Sequence, residues 1–283
     1  MSRVCDRVAS RAVSLFTHDK SRWMRQNVGA MSSDILDRKP PEPGIHLPYG
    51  ADPNQFGELR VPATGSKHPV AMFIHGGYWR AKYGLTYAGH VCVALTNKRF
   101  ATWNLEYRRV GNEGGGWPGT FEDVTAGLRF LSQVAGKYSL DTKHVIAIGH
   151  SAGGQLALCL AGHDLGVHAV VSLAGVLDLR RAWELHLSND AVVGFLGGTP
   201  NQVAEHYRDA SPAELPIRVK QRLVHGRVDD NVPYSISEEY AKAKRAKGED
   251  VELLTFADAD HFDIVDPQSK VWPDIEKTIV GCV

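Results

Sequence analysis

An α/β fold with a mainly parallel central sheet and helices on both faces is predicted by three observations. Short apolar runs that read as buried strands alternate along the chain with longer segments of helical periodicity, the pattern of successive βα units. One run, Val145-Ile146-Ala147-Ile148, passes straight into Gly149-His150-Ser151-Ala152-Gly153-Gly154 and then into the helical stretch Gln155 to Leu160. The 283 residues also suffice for one large domain with a sizeable core.

Taken in order, the first thirty residues carry Arg3, Arg7, Arg11, Lys20, Arg22 and Arg25 against only Asp6 and Asp19, with serines between. They read as an upstream extension with a working start at Met24 or Met31. A mitochondrial-type transit segment is the alternative. Pro40-Pro41-Glu42-Pro43-Gly44 and Pro48-Tyr49-Gly50 read as an extended arm. Residues 1–44 are therefore expected to be a basic, partly flexible extension, and 45–283 a single domain.

Strands are expected at Phe56 to Val61, at Val70 to Ile74 (which ends at Gly76-Gly77) and at Phe100 to Tyr107. Phe121, Val124, Leu128 and Leu131 recur at helical spacing, so a helix runs from Phe121 to Val134 and stops near Gly136. The strand ending at Ile148 and the helix behind Ser151 follow. Val167 to Ala174, Leu223-Val224 and Val251 to Phe256 complete the strands. Tyr234 to Lys247 is a helix stopped by Gly248, and Ser269 to Val280 closes the chain. Residues 178–216 break the alternation. They read as a small helical cap over the carboxyl edge of the sheet, where open α/β sheets bind ligands.

The Gly-His-Ser-Ala-Gly segment has the form of a nucleophile elbow: a strand turns so sharply at the serine that only small neighbours fit. An elbow serine needs a base to take its proton. In this arrangement the acid and then the base follow the nucleophile along the chain. His225-Gly226-Arg227-Val228-Asp229 puts Asp229 on the loop after a strand, and Asp260-His261-Phe262 follows the last strand. Ser151 is thus expected as nucleophile, His261 as general base and acid, and Asp229 as the residue that orients the imidazole. Asp230 is the runner-up for the last role. The oxyanion of a tetrahedral intermediate needs backbone donors. Ala152 supplies one, and Gly77 or Tyr78 in His75-Gly76-Gly77-Tyr78-Trp79 supplies the other. His75 and His150 read as structural hydrogen-bonding residues.

Tyr78, Trp79, Tyr83 and Trp117 fall on carboxyl-edge loops and are expected to line an aryl-sized pocket or to pack those loops together. Arg108 and Arg109 suit a substrate carboxylate, or else a pairing with acids such as Glu106 or Glu122. His163 and His168 match no metal-ligand spacing, so no metal and no cofactor are expected. With 32 basic and 32 acidic side chains the formal charge is zero, which gives no footing for nucleic acid or an anionic membrane. No apolar run is long enough to span a bilayer. The four scattered cysteines fit a reducing cytosol, so the cytoplasm is expected, or the mitochondrion if the N-terminus is a transit segment. The partner is a small-molecule substrate, handled by a monomer or homodimer.

Together, His-Gly-Gly-Tyr-Trp at 75–79, Gly-His-Ser-Ala-Gly-Gly at 149–154, His-Gly-Arg-Val-Asp at 225–229 and Asp-His-Phe at 260–262 resemble the α/β-hydrolases. The Tyr-Trp after the two glycines is most similar to the serine-dependent kynurenine formamidases (arylformamidases) and their esterase relatives. Hormone-sensitive-lipase-type esterases usually carry a third glycine where this chain has Tyr78. The resemblance covers the chain from about Phe56 onward. It implies a serine hydrolase, a carboxylesterase or arylformamidase, that cleaves a small carboxylic ester or aryl formamide through an acyl- or formyl-enzyme with a Ser-His-Asp triad. An exopeptidase-like hydrolase is a second possibility, and a non-catalytic ligand-binding relative a more distant one.

Overall fold

Among the described residues, eight strands, numbered β1 to β8 along the chain, form one sheet in the order β1-β2-β4-β3-β5-β6-β7-β8. The computed structural model describes residues 34–65 and 67–283; the upstream extension or transit segment expected over the first thirty residues lies outside them. The strands are β1 (Ile45–Pro48), β2 (Phe56–Arg60), β3 (His68–Ile74), β4 (Ala101–Leu105), β5 (Leu140–His150), β6 (Ala169–Leu173), β7 (Lys220–Gly226) and β8 (Val251–Phe256). β1–β2 and β2–β4 pair antiparallel, and every other neighbouring pair is parallel. The predicted mainly parallel sheet is what the chain forms.

Alternation along the strands decides which helices cover which face. Val70, Met72 and Ile74 of β3, with Val145 and Ala147 of β5, point into one core. That core also takes Val124, Leu128 and Leu131 of α3 (Gly119–Tyr138), Leu156 and Leu160 of α4 (Ala152–Gly162), and Ile236 and Tyr240 of α8 (Tyr234–Ala246). Ala71 and Phe73 of β3, with Ile146 and Ile148 of β5, point the other way. They meet Val91, Cys92 and Leu95 of α2 (Gly89–Asn97) and Ile275 and Ile279 of α9 (Trp272–Val280). The central strands are apolar on both faces because both faces are covered.

Between β6 and β7 the chain forms three short helices, α5 (Leu179–Glu184), α6 (Ala191–Leu196) and α7 (Ala204–Ala210). Leu179, Ala182, Val192, Phe195, Leu196, Tyr207 and Ala210 all join the α3/α4 core. The helical insertion expected over 178–216 is packed into the body of the domain.

Three features depart from the sequence reading. α2 and the 3-10 turn Leu85–Ala88 before it were not expected. The arm ending at Gly50 contains β1, whose Ile45 and Leu47 sit opposite Leu59 and Gly57. Packing also begins well before residue 45. The one-turn helix α1 (Asp34–Asp37) buries Ile35 to 1% exposure, and Arg38 donates two 2.7 Å hydrogen bonds to the Asp266 carboxylate.

Burial pushes the Asp266 carboxyl up, but hydrogen bonds from Arg38 and from the Gln268 amide outweigh it and hold the group below its usual value. A carboxyl whose folded value lies below its unfolded one (about 3.9) binds fewer protons when folded. Its stabilisation is therefore present above that value and lost as pH falls through the folded one. Arg38→Ala is expected to cost about 1–2 kcal/mol in thermal unfolding at pH 7. The difference from the parent protein should shrink at pH 3. A cost equal at both pH values would contradict the assignment.

Candidate active site

The site is built where β3, β5, β7 and β8 end at their carboxyl edge. Ser151 directly follows β5 and precedes α4, with φ +56° and ψ −120°, a conformation unfavourable for a residue with a side chain. Its N–H donates to Leu173 O at 2.8 Å, which fastens the turn to β6. Steric crowding explains the small residues around it. A Cβ on Gly153 would lie 2.0 Å from Ile74 O, and one on Gly76 would meet His150 O and the Ser151 Cβ at 2.9 Å. Gly76 is thus the point at which the loop after β3 touches the elbow.

Asp229 lies on the loop after β7, and its side chain is fully buried. One oxygen, Oδ1, accepts the N–H groups of Asn231 and Val232, both at 2.8 Å. The other, Oδ2, accepts from His261 Nδ1 at 2.7 Å. His225 Nε2 stands 3.2 Å from the same oxygen and 2.9 Å from Val232 O. Both of these are acceptors, so Nε2 carries the His225 proton and Nδ1 accepts from the Ser237 hydroxyl at 2.7 Å. Burial alone would raise the Asp229 carboxyl. The hydrogen bonds from His225 and His261, and the charge of His261, hold it well below the usual carboxylate range instead. Asp229 is therefore an anion, and its Oδ2 accepts the proton carried on His261 Nδ1. Asp230, the alternative orienter, is exposed and, among the described residues, accepts only the Asn231 side-chain amide at 2.8 Å.

His150 ties the elbow to the base. Its Nε2 donates to His261 O at 3.0 Å, so its Nδ1 accepts the Tyr87 hydroxyl proton at 2.8 Å. Tyr87 Oη in turn accepts the Gly76 N–H at 2.8 Å. Burial, helped by the charge of His261, drives the His150 pKa well below its ordinary value, which matches the neutral tautomer these partners require. His75 is likewise structural: Nδ1 faces Gly76 O at 2.7 Å and Nε2 faces Glu106 Oε1 at 2.9 Å.

The loop after β3 runs left-handed through Gly77 (φ +114°), Tyr78 (+49°) and Trp79 (+56°). Among the described residues no hydrogen bond uses the N–H of Gly77 or Tyr78. Ala152 heads α4, where the first N–H groups have no intrahelical acceptor. Among the described residues, three backbone donors are thereby left without an acceptor, one at the elbow and two on the loop whose Gly76 touches it.

The four aromatic residues expected around the pocket separate. The Tyr78 hydroxyl reaches across to Asn231 O. Tyr83 is 42% exposed and packs its Cβ against Gly77. Trp117 is half-buried, stacked on Phe121 at 5.2 Å. Trp79 is 1% exposed, stacked on Phe195 at 4.4 Å, and its Nε1 donates to Gln155 Oε1 at 2.9 Å. It is a core residue in this structure, because its ring finds an apolar slot and its one polar atom a buried partner.

The arginines suggested for a substrate carboxylate are already engaged: Arg109 pairs with Glu106 at 2.7 Å, and Arg108 grips Asp123 at 2.7 and 2.8 Å. The second acid is Asp123 rather than Glu122, since Asp123 is on the buried side of α3. Among the described residues no group of three His, Cys, Asp or Glu can hold a metal ion. Burial pushes the Cys92 and Cys159 thiols up to about 12, so both stay protonated. No described helix is long and apolar enough to cross a membrane.

Sequence reasoning missed Tyr87, Gln155 and the role of His225. His225 had a readable signal, a histidine four residues before the acid on the same strand end. Tyr87 and Gln155 had none, because their partners are distant in the chain.

Comparison with known proteins identifies the family. The family model described as BD-FAE matches residues 58–243. The chain is 24% identical over 251 residues to a probable isoprenylcysteine alpha-carbonyl methylesterase of Oryza sativa, covering 76% of this chain and 57% of that one. It therefore spans little more than half the length of that relative. It is 24% identical over 233 residues to the kynurenine formamidase of Drosophila melanogaster, covering 78% of this chain and 75% of that one. Among solved structures, a thermophilic esterase of Thermogutta terrifontis superposes with a TM-score of 0.71 at 20% identity, over 86% of this chain and 93% of that one. At that identity the likeness is one of fold.

Proposed function

The chain belongs to the BD-FAE family and has the α/β-hydrolase fold, and from that membership and the geometry above we propose that it is a serine hydrolase of small carboxylic esters or aryl formamides. The observation that carries the proposal is the fully buried Asp229 carboxylate, 2.7 Å from His261 Nδ1, on a His261 loop that His150 ties at 3.0 Å to the elbow of the left-handed Ser151. In this mechanism Ser151 Oγ attacks the carbonyl carbon and passes its proton to His261 Nε2. Asp229 stabilises the imidazolium. The oxyanion is held by the N–H of Ala152 and those of Gly77 and Tyr78. His261 then gives its proton to the leaving alcohol or amine as the C–O or C–N bond breaks. Water, deprotonated by His261, attacks the acyl- or formyl-serine, and the acid leaves.

The class of substrate rests on the relatives and on the rim. One relative is named an isoprenylcysteine alpha-carbonyl methylesterase and another a kynurenine formamidase, an ester and an aryl formamide hydrolase by name. Tyr83, exposed and packed on Gly77 of the oxyanion loop, offers an aryl leaving group a flat apolar contact. The test is a pair of initial rates, on N-formylkynurenine and on p-nitrophenyl acetate, each repeated with a p-nitrophenyl ester of longer acyl chain. Hydrolysis is expected for the formamide or the short ester and should fall as the acyl chain lengthens. A higher formamide rate assigns an arylformamidase, a higher ester rate a carboxylesterase. Activity confined to long acyl chains would contradict the small-substrate reading.

A further inference from the structure

The Tyr78 hydroxyl donates to Asn231 O at 2.5 Å and so joins the loop after β3 to the loop after β7, 153 residues further on. The acceptor lies inside the turn that holds the acid. Asn231 donates its own N–H to Asp229 Oδ1 at 2.8 Å, and Asp229 Oδ2 faces His261 Nδ1 at 2.7 Å. One line of bonds therefore leads from an oxyanion-loop residue to the base.

Tyr78 also needs holding. It is a bulky residue at φ +49°, between Gly77 and Trp79, both left-handed as well. Such conformations persist only where the surroundings over-determine them. Here each side chain of the turn is tied to a different element: Tyr78 to the Asp229 loop, Trp79 to Gln155 of α4, and Arg80 to Ser188 in the insertion. Of these only the Tyr78 tie ends in the turn that holds the acid.

We infer, on the basis of the serine-hydrolase reading, that the Tyr78 hydroxyl is a positioning group: it sets the Asn231 peptide, and through it the angle at which Asp229 meets His261. Asn231 is exposed, so water replaces the lost donor when the hydroxyl is removed. The effect on folding is therefore small and the effect on alignment is not.

Tyr78→Phe keeps the ring and the backbone N–H. With p-nitrophenyl acetate it is expected to lower kcat by about tenfold or more while KM stays within about twofold, because a small misalignment acts on the chemical step. Since the hydroxyl acts through Asp229, adding Tyr78→Phe to Asp229→Asn should cost less than about twofold more. A full multiplicative loss in that double variant, an unchanged kcat, or a raised KM at constant kcat would each overturn the inference. A second readout does not depend on turnover. The His261 Nδ1 proton bonded to Asp229 should give a downfield proton resonance in the parent protein that broadens or disappears in Tyr78→Phe. A resonance equally sharp in both proteins would overturn the inference. Should turnover prove independent of Ser151, the hydrolase reading falls, and the resonance still decides the positioning one.

Discussion

Ser151→Ala is expected to lower kcat/KM by roughly 10⁵-fold, the scale at which removing a triad nucleophile leaves only oxyanion-hole and binding catalysis. The fold should survive, because alanine is smaller and keeps the N–H that donates to Leu173 O. The strain of the elbow resides in the backbone at φ +56°, which alanine shares with serine. Near-parental melting and a flat substrate trace are the expected pair of results. A variant that retained a tenth of the parental rate would remove Ser151 from the chemistry.

The second large effect is expected for Asp229→Asn, a loss of roughly 10⁴-fold in kcat. The amide oxygen can still accept the N–H groups of Asn231 and Val232, so the turn is preserved. The amide nitrogen, however, then faces His261 Nδ1, and two donors cannot share that contact. The imidazole must move its proton to Nε2, the nitrogen that should accept from the serine. Asp230→Asn is the matched control: its carboxylate is exposed and bonds only the Asn231 side chain, so it should change kcat less than about threefold. Equal losses in the two variants would contradict the assignment of Asp229 as orienter.

Much of this was legible in the sequence because it is local. The apolar runs gave β8 to the residue and β2, β3 and β6 to within two residues, whereas β5 extends five residues before its apolar run; each motif sits at a strand end. What stayed hidden depends on distant partners. α2 begins at Gly89 behind a 3-10 turn, with no side-chain cap, so no start signal marks it. Its Leu95 and Cys92 do have helical spacing, but Val91 and Val93 favour a strand equally well. β1 is a four-residue edge strand ending in Pro48, and only pairing with β2 makes it a strand. Trp79 stands in a loop by sequence, but Phe195 and Gln155 draw it into the core. Arg108 and Arg109 show the same limit. Side-chain charge is visible in a sequence, but the carboxylate that neutralises it is fixed by packing.

The same reasoning separates the residues that act from those that align them. Ser151, His261 and the N–H groups of Gly77, Tyr78 and Ala152 are the proposed groups at the reacting atoms. Asp229, His225, His150 and Tyr87 hold them in register through buried bonds between loops. Glu106 anchors the loop after β3 from beneath, where it accepts from His75, Arg109 and the Tyr107 amide.

The most direct test of the central claim is mass spectrometry of the intact protein after reaction with a fluorophosphonate, followed by peptide mapping. One adduct per chain on the peptide containing Ser151, absent from Ser151→Ala and slowed strongly in Asp229→Asn, is the result this account predicts. An unlabelled Ser151, or equal labelling of parent and Ser151→Ala, would contradict it.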